Sequence, residues 1–403
     1  MSIFQSLEKA SFDPANYDMI VVGAGYAGAV VARRMAEEAD WRVAILESRN
    51  HIAGNAFDKE DDAGILIHLY GPHIYHTTNK RVNDFLSRFT QWTNYQHRVL
   101  GDVNGELMPV PFNHASLKLA FGEERGEALY NKLVDTFGEN VKVPLMDLRA
   151  TDDPDFEEVA DYVYKNIFLY YTQKQWGKKP DEIDPAITAR VPIFIGNDDR
   201  YFPGATWQGM PAQGYTKLFE SLLDHELIDV FLNTDARDVL AIQDDKVEVS
   251  GKPFAGTVVY TGPLDELFNC DLGELPYRSL DMQFETLPIN QFQPVGTVNY
   301  PTSEDFTRIT EFKNMTGQVK EGVTTIMREY PMAYVRGENM TPYYAILEPQ
   351  NKALYEKYAA RVAQVPNFYP RGRLAEYRYY DMDAVCDSAL QLADELLEKN
   401  KKA

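Results

Sequence analysis

The feature that most constrains this chain lies close to its start. An apolar run, residues 19–22, leads into Gly23-Ala24-Gly25-Tyr26-Ala27-Gly28, and small and long residues then alternate at helical spacing through residue 39. A second apolar run, residues 43–46, ends on Glu47. Strand, glycine turn, helix, strand, acid is the order of a βαβ unit that binds a dinucleotide. Gly23 permits the tight turn, and Gly25 lets a pyrophosphate approach the backbone. Gly28 lets the helix pack close to the sheet with its N-terminus facing the phosphates. Glu47 is placed to accept hydrogen bonds from a ribose diol. A glycine-rich turn with no ligand is the competing reading, and the completeness of the unit weighs against it.

No second glycine fingerprint follows. After Glu47 and Ser48 comes a polar turn, residues 49–55 (RNHIAGN), too long for a plain NAD module. An extended FAD needs contacts beyond its adenosine, and this turn can supply them. We therefore expect FAD without a nicotinamide site, so that electrons arrive from an external flavin reductant.

Composition narrows the partners. Asp plus Glu number 61 and Lys plus Arg 40, a formal net charge of -21 over 403 residues. Such a surface repels nucleic-acid phosphates and anionic membranes, so neither is expected as a partner, and an anionic substrate would need a local nest of arginines. Two cysteines, Cys270 and Cys386, exclude a disulfide framework and a thiolate-rich metal site. No CxxC supports disulfide-reductase chemistry, and seven histidines without HExxH spacing give no reason to expect a metal. No window approaches about 18 apolar residues, and the first residues lack a signal-peptide core, so no membrane insertion and a cytoplasmic location are expected.

The fold class expected is α/β: an FAD-binding Rossmann-like domain with an inserted helical domain and an antiparallel β-sheet domain. Residues 1–79, 211–262 and 365–403 are assigned to the first. Residues 80–190, poor in β patterning, read as helices near 124–137 and 156–168, broken at Pro144 and Pro154. Residues 191–210 and 263–364 are assigned to the sheet domain. β-branched and aromatic runs at 258–260 and 324–327 both suggest antiparallel strands. Residues 382–402 read as an amphipathic helix.

Several segments together resemble one family, the prokaryotic UDP-galactopyranose mutases. Residues 49–55 are similar to its RxHxGGN turn, and 70–77 (YGPHIYHT) to its YGPHIFHT. Residues 171–177 (YTQKQWG) resemble YTxKQWG, and 260–263 match YTGP. Residues 306–311 (FTRITE) resemble YTRITE, and 372–382 (GRLAEYRYYDM) resemble GRLAEYKYYDM. Six matches in one order over nearly the whole chain are specific. Departures are Ala53 for a glycine, Pro370-Arg371 for small residues, Phe312 for a common histidine, and His97 for an asparagine.

The resemblance implies interconversion of UDP-galactopyranose and UDP-galactofuranose, redox-neutral yet dependent on reduced FAD, supplying galactofuranose for cell-surface polysaccharide. It implies that flavin N5 attacks the anomeric carbon, UDP departs, a ring-opened iminium adduct forms, and the ring recloses. Arg190 and Arg308 would hold the diphosphate, since a guanidinium forks onto paired phosphate oxygens and stays charged. His73 would sit beside the flavin ring. His97, Phe168, Tyr171, Trp176, Tyr201, Asn299, Tyr344 and Tyr379 would line the substrate site, with Tyr343 and Tyr344 not separable by pattern. Tyr26, Ser48, Arg49, Asn55, His68, Leu69, Arg373, Tyr380, Asp381 and Met382 would join the glycines and Glu47 around FAD. Residues 178–198 read as a mobile lid carrying Arg190. A homodimer is expected. The rival reading is an amine-oxidase-like FAD oxidoreductase, whose pocket would not need paired arginines.

Overall fold

The computed structural model describes residues 4–6, 12–177 and 192–402. Met19, Ile20 and Val21 and all of Val43–Leu46 are buried without alternation, which marks strands covered on both faces. They belong to a six-stranded sheet in which every pair is parallel. Its order is Phe4–Ser6, Ile228–Leu232, Val43–Leu46, Met19–Val22, Thr257–Tyr260, Phe368–Pro370. The helix Tyr26–Ala39 packs one face together with Tyr215–Leu223 and the C-terminal helix Met382–Lys402. The helix Pro349–Val362 and a small three-stranded sheet cover the other. From Met19–Val22 the chain crosses first to one neighbour, Val43–Leu46, and much later to the other, Thr257–Tyr260. That reversal opens a crevice at the carboxyl ends of the strands, where such sheets bind ligands.

Residues 258–260 are thus a parallel strand of this sheet, not the antiparallel strand expected from their β-branched texture. Burial on both faces selects the same residue types as a half-buried strand.

The second sheet has seven strands in the order Tyr344–Ala345, Tyr277–Leu287, Thr324–Ala333, Arg308–Glu311, Thr297–Asn299, Val99–Val103, Glu106–Val110. The pairings are antiparallel except that of Thr297–Asn299 with Val99–Val103. Its last two strands correct the reading of residues 80–190 as helical. They form a hairpin on Asn104-Gly105, both at positive φ (57° and 87°), the turn that matches strand twist. Residues 191–210 also depart from their assignment. Ile193–Ile195 pairs with Val141–Val143, and Trp207–Gly209 with Tyr75–Thr77, so neither strand joins the antiparallel sheet.

The remaining insertion is helical. Glu123–Phe137 starts one residue before the expected helix. Pro154 opens a helix, capped by Asp153, because a proline at the first position forfeits no hydrogen bond. Pro154–Val163 then widens into a π turn, Tyr164–Phe168, before Leu169–Trp176. Such turns are frequent at functional sites. Arg190 and residues 178–191 of the expected lid lie outside the described residues.

Candidate active site

A long cleft runs along the carboxyl ends of the parallel strands and on to the second sheet. At its first end the binding surface is mainly backbone. Gly23 has φ of 97°, and a Cβ there would lie 2.1 Å from Thr261 Oγ1. A Cβ on Gly28 would lie 2.1 Å from the Gly23 carbonyl oxygen and 2.7 Å from Val21 Cγ1, so this glycine sets how closely helix and strand approach. Gly25 faces the turn that follows Glu47, its would-be Cβ 3.7 Å from Gly54 Cα. Glu47 is 5% exposed. One carboxylate oxygen accepts from the Ala24 amide (2.8 Å) and the other from the Arg49 amide (2.9 Å), so the acid binds glycine loop and polar turn together. Ala53 occupies the left-handed region at φ 71°, where a glycine would sit without strain, and donates to the Ala24 carbonyl (3.0 Å).

This end fits FAD. Arg49 stacks on Tyr70 (4.3 Å to the ring centre) and donates to Asn55 Oδ1 (3.0 Å), yet its second terminal nitrogen is buried without a partner. An orphaned cationic donor beside a glycine-lined cradle suits an anionic dinucleotide. Gly23, Gly25, Tyr26, Glu47, Ser48, Arg49, Asn55, Arg373, Tyr380, Asp381 and Met382 line the cleft. The C-terminal helix begins at Met382, aiming its positive end at the cleft. Asp381 accepts from the Tyr379 hydroxyl (2.9 Å), and Tyr380 donates to Glu376 (2.9 Å). His68 and Leu69 do not reach the cleft wall. His68 lies behind it, accepting at Nδ1 from the His73 amide (3.1 Å), and Leu69 donates its amide to the Phe57 carbonyl (3.2 Å).

His73 joins the two ends. Its Nδ1 lies 2.8 Å from the Gly71 carbonyl oxygen, which can only accept, so the ring proton sits on Nδ1 and Nε2 keeps a lone pair. Burial, aided by His68, Arg373 and Arg308 nearby, holds its pKa down to about 3. The ring is a neutral acceptor at physiological pH.

The far end is made of side chains. Arg308 donates to the buried carboxylate of Glu329 (2.5 Å). Burial opposes its charge, but Glu329, with Tyr171 and Tyr344 nearby, outweighs that and holds its pKa above the usual arginine range. Glu329 also removes one of its donors from competition. Tyr344 and Tyr379 lie with ring planes 19° apart and centres 6.4 Å apart, and the Arg373 guanidinium stands 5.5 and 4.9 Å from them. Arg373 also donates to the Tyr343 carbonyl (3.1 Å). Both Tyr343 and Tyr344 are on the wall; Tyr344 is the one in the aromatic pair with Tyr379. His97 and Tyr201 line the cleft with their rings 5.6 Å apart, edge to face. Tyr171 is close enough to Arg308 to feel its charge, while burial pushes its phenol up. Phe168 is buried in the π turn, and Asn299 stands opposite Arg308 in the sheet register; neither lines the cleft. Trp176 ends the helix before the undescribed segment. Among the described residues no three His, Cys, Asp or Glu side chains converge as metal ligands.

Four residues at the cleft escaped the sequence reading. Glu329 is recognisable only through the cross-strand register Arg308 to Glu329. Arg237 and Glu266, 3.4 Å apart, line the wall beyond Glu47. Tyr95 supports His97 from behind. No spacing rule points to any of them.

A glycine-turn dinucleotide fold whose cleft continues into a basic, tyrosine-rich end defines a flavoprotein shaped for an anionic ligand. Comparisons give its lineage. Residues 166–379 match the model of the UDP-galactopyranose mutase family, and residues 21–89 that of an NAD(P)-binding Rossmann-like domain. UDP-galactopyranose mutase of Mycoplasma pneumoniae is 34% identical over 387 residues, 95% of this chain and 96% of that protein. dTDP-fucopyranose mutase of Escherichia coli is 29% identical, covering 95% of this chain and 99% of that protein. The crystal structure of a reduced UDP-galactopyranose mutase superposes with a TM-score of 0.70 at 16% identity, over 95% of this chain and 94% of that one. The chain belongs to the UDP-galactopyranose mutase family.

Proposed function

We propose that this protein is a flavin-dependent isomerase that interconverts UDP-α-D-galactopyranose and UDP-α-D-galactofuranose, with FAD working in its reduced form. The observation that carries the reading is Arg308, a cation locked by a buried carboxylate, in the same cleft as a dinucleotide cradle. In a protein of net charge -21, a permanent cation with tyrosines around it is a site for phosphate. When bound, reduced FAD supplies an electron-rich nitrogen nucleophile for the anomeric carbon, with no net redox change.

The chain's own residues bind and steady the charges. Arg308 holds the diphosphate and stabilises UDP as it departs, with Arg190 assigned the same task by the family resemblance. The hydroxyls and rings of Tyr171, Tyr201, Tyr344 and Tyr379 suit phosphate oxygens and uracil at low entropic cost. His73 Nε2 accepts a hydrogen bond from a sugar hydroxyl or holds its proton. Arg373 favours an anionic flavin ring. The resemblance extends the reading to an external reductant and a homodimer, and no described helix is long and apolar enough to cross a membrane.

Dithionite-reduced protein given UDP-galactofuranose should yield UDP-galactopyranose, with no oxidised sugar and no peroxide. Peroxide with an oxidised sugar would install the oxidase reading. Binding without turnover would leave a nucleotide-sugar-binding protein. Because of the Escherichia coli relative, dTDP-fucopyranose belongs in the same assay, and turnover of it alone would move the substrate assignment.

A further inference from the structure

His73 and His97 stand in one cleft with different wiring. His97 Nδ1 lies 2.9 Å from the Tyr95 hydroxyl oxygen. Either group can donate in such a contact, and the phenolic hydrogen decides between them. Among the described residues the Tyr95 hydroxyl has no other hydrogen-bond partner. It is wedged into a tight place: a Cβ on Gly296 would lie 2.7 Å from it and 2.7 Å from Met315 Cγ, so only glycine leaves it room. If Nδ1 carried the proton, the phenol would accept and its own O–H would be left unbonded in a largely dry setting, which costs the desolvation of that donor. Donation from Tyr95 to Nδ1 satisfies both groups and places the ring proton on Nε2.

The hydrogen bonds His97 makes among the described residues use Nδ1 and its backbone amide, not Nε2, and the ring lines the cleft beside Tyr201. Burial, with the nearby Arg308 charge, lowers the His97 pKa to about 3, so the ring is neutral. An imidazolium there would repel Arg308. A neutral N–H adds a donor for an anion without that repulsion.

We propose that Tyr95 is a positioning residue that locks His97 as the Nε2–H tautomer, so that the ring presents a neutral hydrogen-bond donor to a phosphate of the bound nucleotide sugar. The proposal rests on the diphosphate reading of the site. The cleft thereby holds two neutral histidines of opposite sense, an acceptor at His73 and a donor at His97.

Two variants and two readouts test it on FAD-loaded protein. Tyr95→Phe removes only the hydroxyl. His97→Asn supplies an amide donor that needs no tautomer to be chosen. Nitrogen shifts of the His97 ring in histidine-labelled protein should show Nε2–H in the wild type and a tautomer mixture in Tyr95→Phe. Tyr95→Phe should weaken UDP binding about 5- to 10-fold and leave uridine binding unchanged. In the His97→Asn background the same change should have no effect on UDP. An Nδ1–H tautomer in the wild type overturns the proposal, as does an equal loss of UDP affinity in both backgrounds, which would make Tyr95 merely structural. Unchanged UDP affinity in folded Tyr95→Phe also overturns it. Failure of the wild type to bind UDP at all would instead sink the diphosphate reading, while the ring shifts still reported the wiring.

Discussion

The two ends of the cleft bind by different means. At the dinucleotide end the groups that matter are mainly amides, glycine Cα atoms, the Glu47 carboxylate and the Arg49 guanidinium, within the 33 residues from Gly23 to Asn55, joined by residues 373–382 from the far end of the sequence. At the proposed substrate end they are side chains of His73, His97, Tyr201, Arg308, Tyr344 and Tyr379, which line the cleft and are drawn from segments that meet only when the second sheet has formed. Backbone geometry fixes where a ligand lies but commits little charge to its chemistry. Side chains held by buried partners, as Glu329 holds Arg308, supply charge that can act on a reacting bond. The first end should therefore govern affinity for the cofactor, and the second the rate.

Arg308→Ala should break this division most visibly if it is wrong. Turnover should fall roughly 1,000-fold, while the bound-flavin absorbance stays at the wild-type level; loss of flavin along with activity would show that the ends are not separable. Next comes acid. Burial lowers the pKa of His68 to about 4 and, with Arg308 nearby, that of His97 to about 3, whereas unfolded imidazoles protonate below roughly 6.5. Below that pH the unfolded chain takes up protons that the folded chain refuses, so stability is lost as pH falls. The cost is about 1.4 kcal/mol per imidazole for each pH unit. Urea unfolding at pH 7.5, 6.5 and 5.5 should show it, with a shallower slope in His97→Asn.

Glu47→Gln should weaken FAD about 10-fold because one side-chain oxygen can no longer accept from the loop and the ribose. Fluorescence of released flavin measures this, and turnover at saturating FAD should be near wild type. A fall in turnover at saturation would assign chemistry to the dinucleotide end. The smallest effect belongs to Ala53→Gly, which relieves a left-handed alanine and should raise unfolding stability by up to about 1 kcal/mol, leaving both affinity and rate in place. Destabilisation instead would mean the buried methyl contributes packing that outweighs its strain.

The glycine turn and Glu47 were legible because each is local, whereas the flanking residues 373–382 came only through family resemblance. A glycine at a required turn and an acid at a strand end can be read from a single window, and the helices Tyr26–Ala39 and Met382–Lys402 declare themselves by spacing. The substrate end was legible only through family resemblance. With 25 tyrosines in the chain, nothing about Tyr344 or Tyr379 alone separates them from core residues. Glu329 was illegible because its meaning is a register across two strands. The Val99–Val103 and Glu106–Val110 hairpin was a different failure. Its Asn104-Gly105 turn was present in the sequence, but the surrounding helices set the texture of the segment.

The parallel sheet carries a consequence for biosynthesis. Its strand Met19–Val22 leaves the ribosome more than 200 residues before its neighbour Thr257–Tyr260, and more than 300 before the edge strand Phe368–Pro370. The nascent N-terminal unit must wait with one apolar flank unpaired, a state in which aggregation competes with completion and chaperone protection matters most. Termination between residues 261 and 367 would leave the glycine turn and five of the six parallel strands, but neither the edge strand Phe368–Pro370 nor the helix Met382–Lys402 that covers one face.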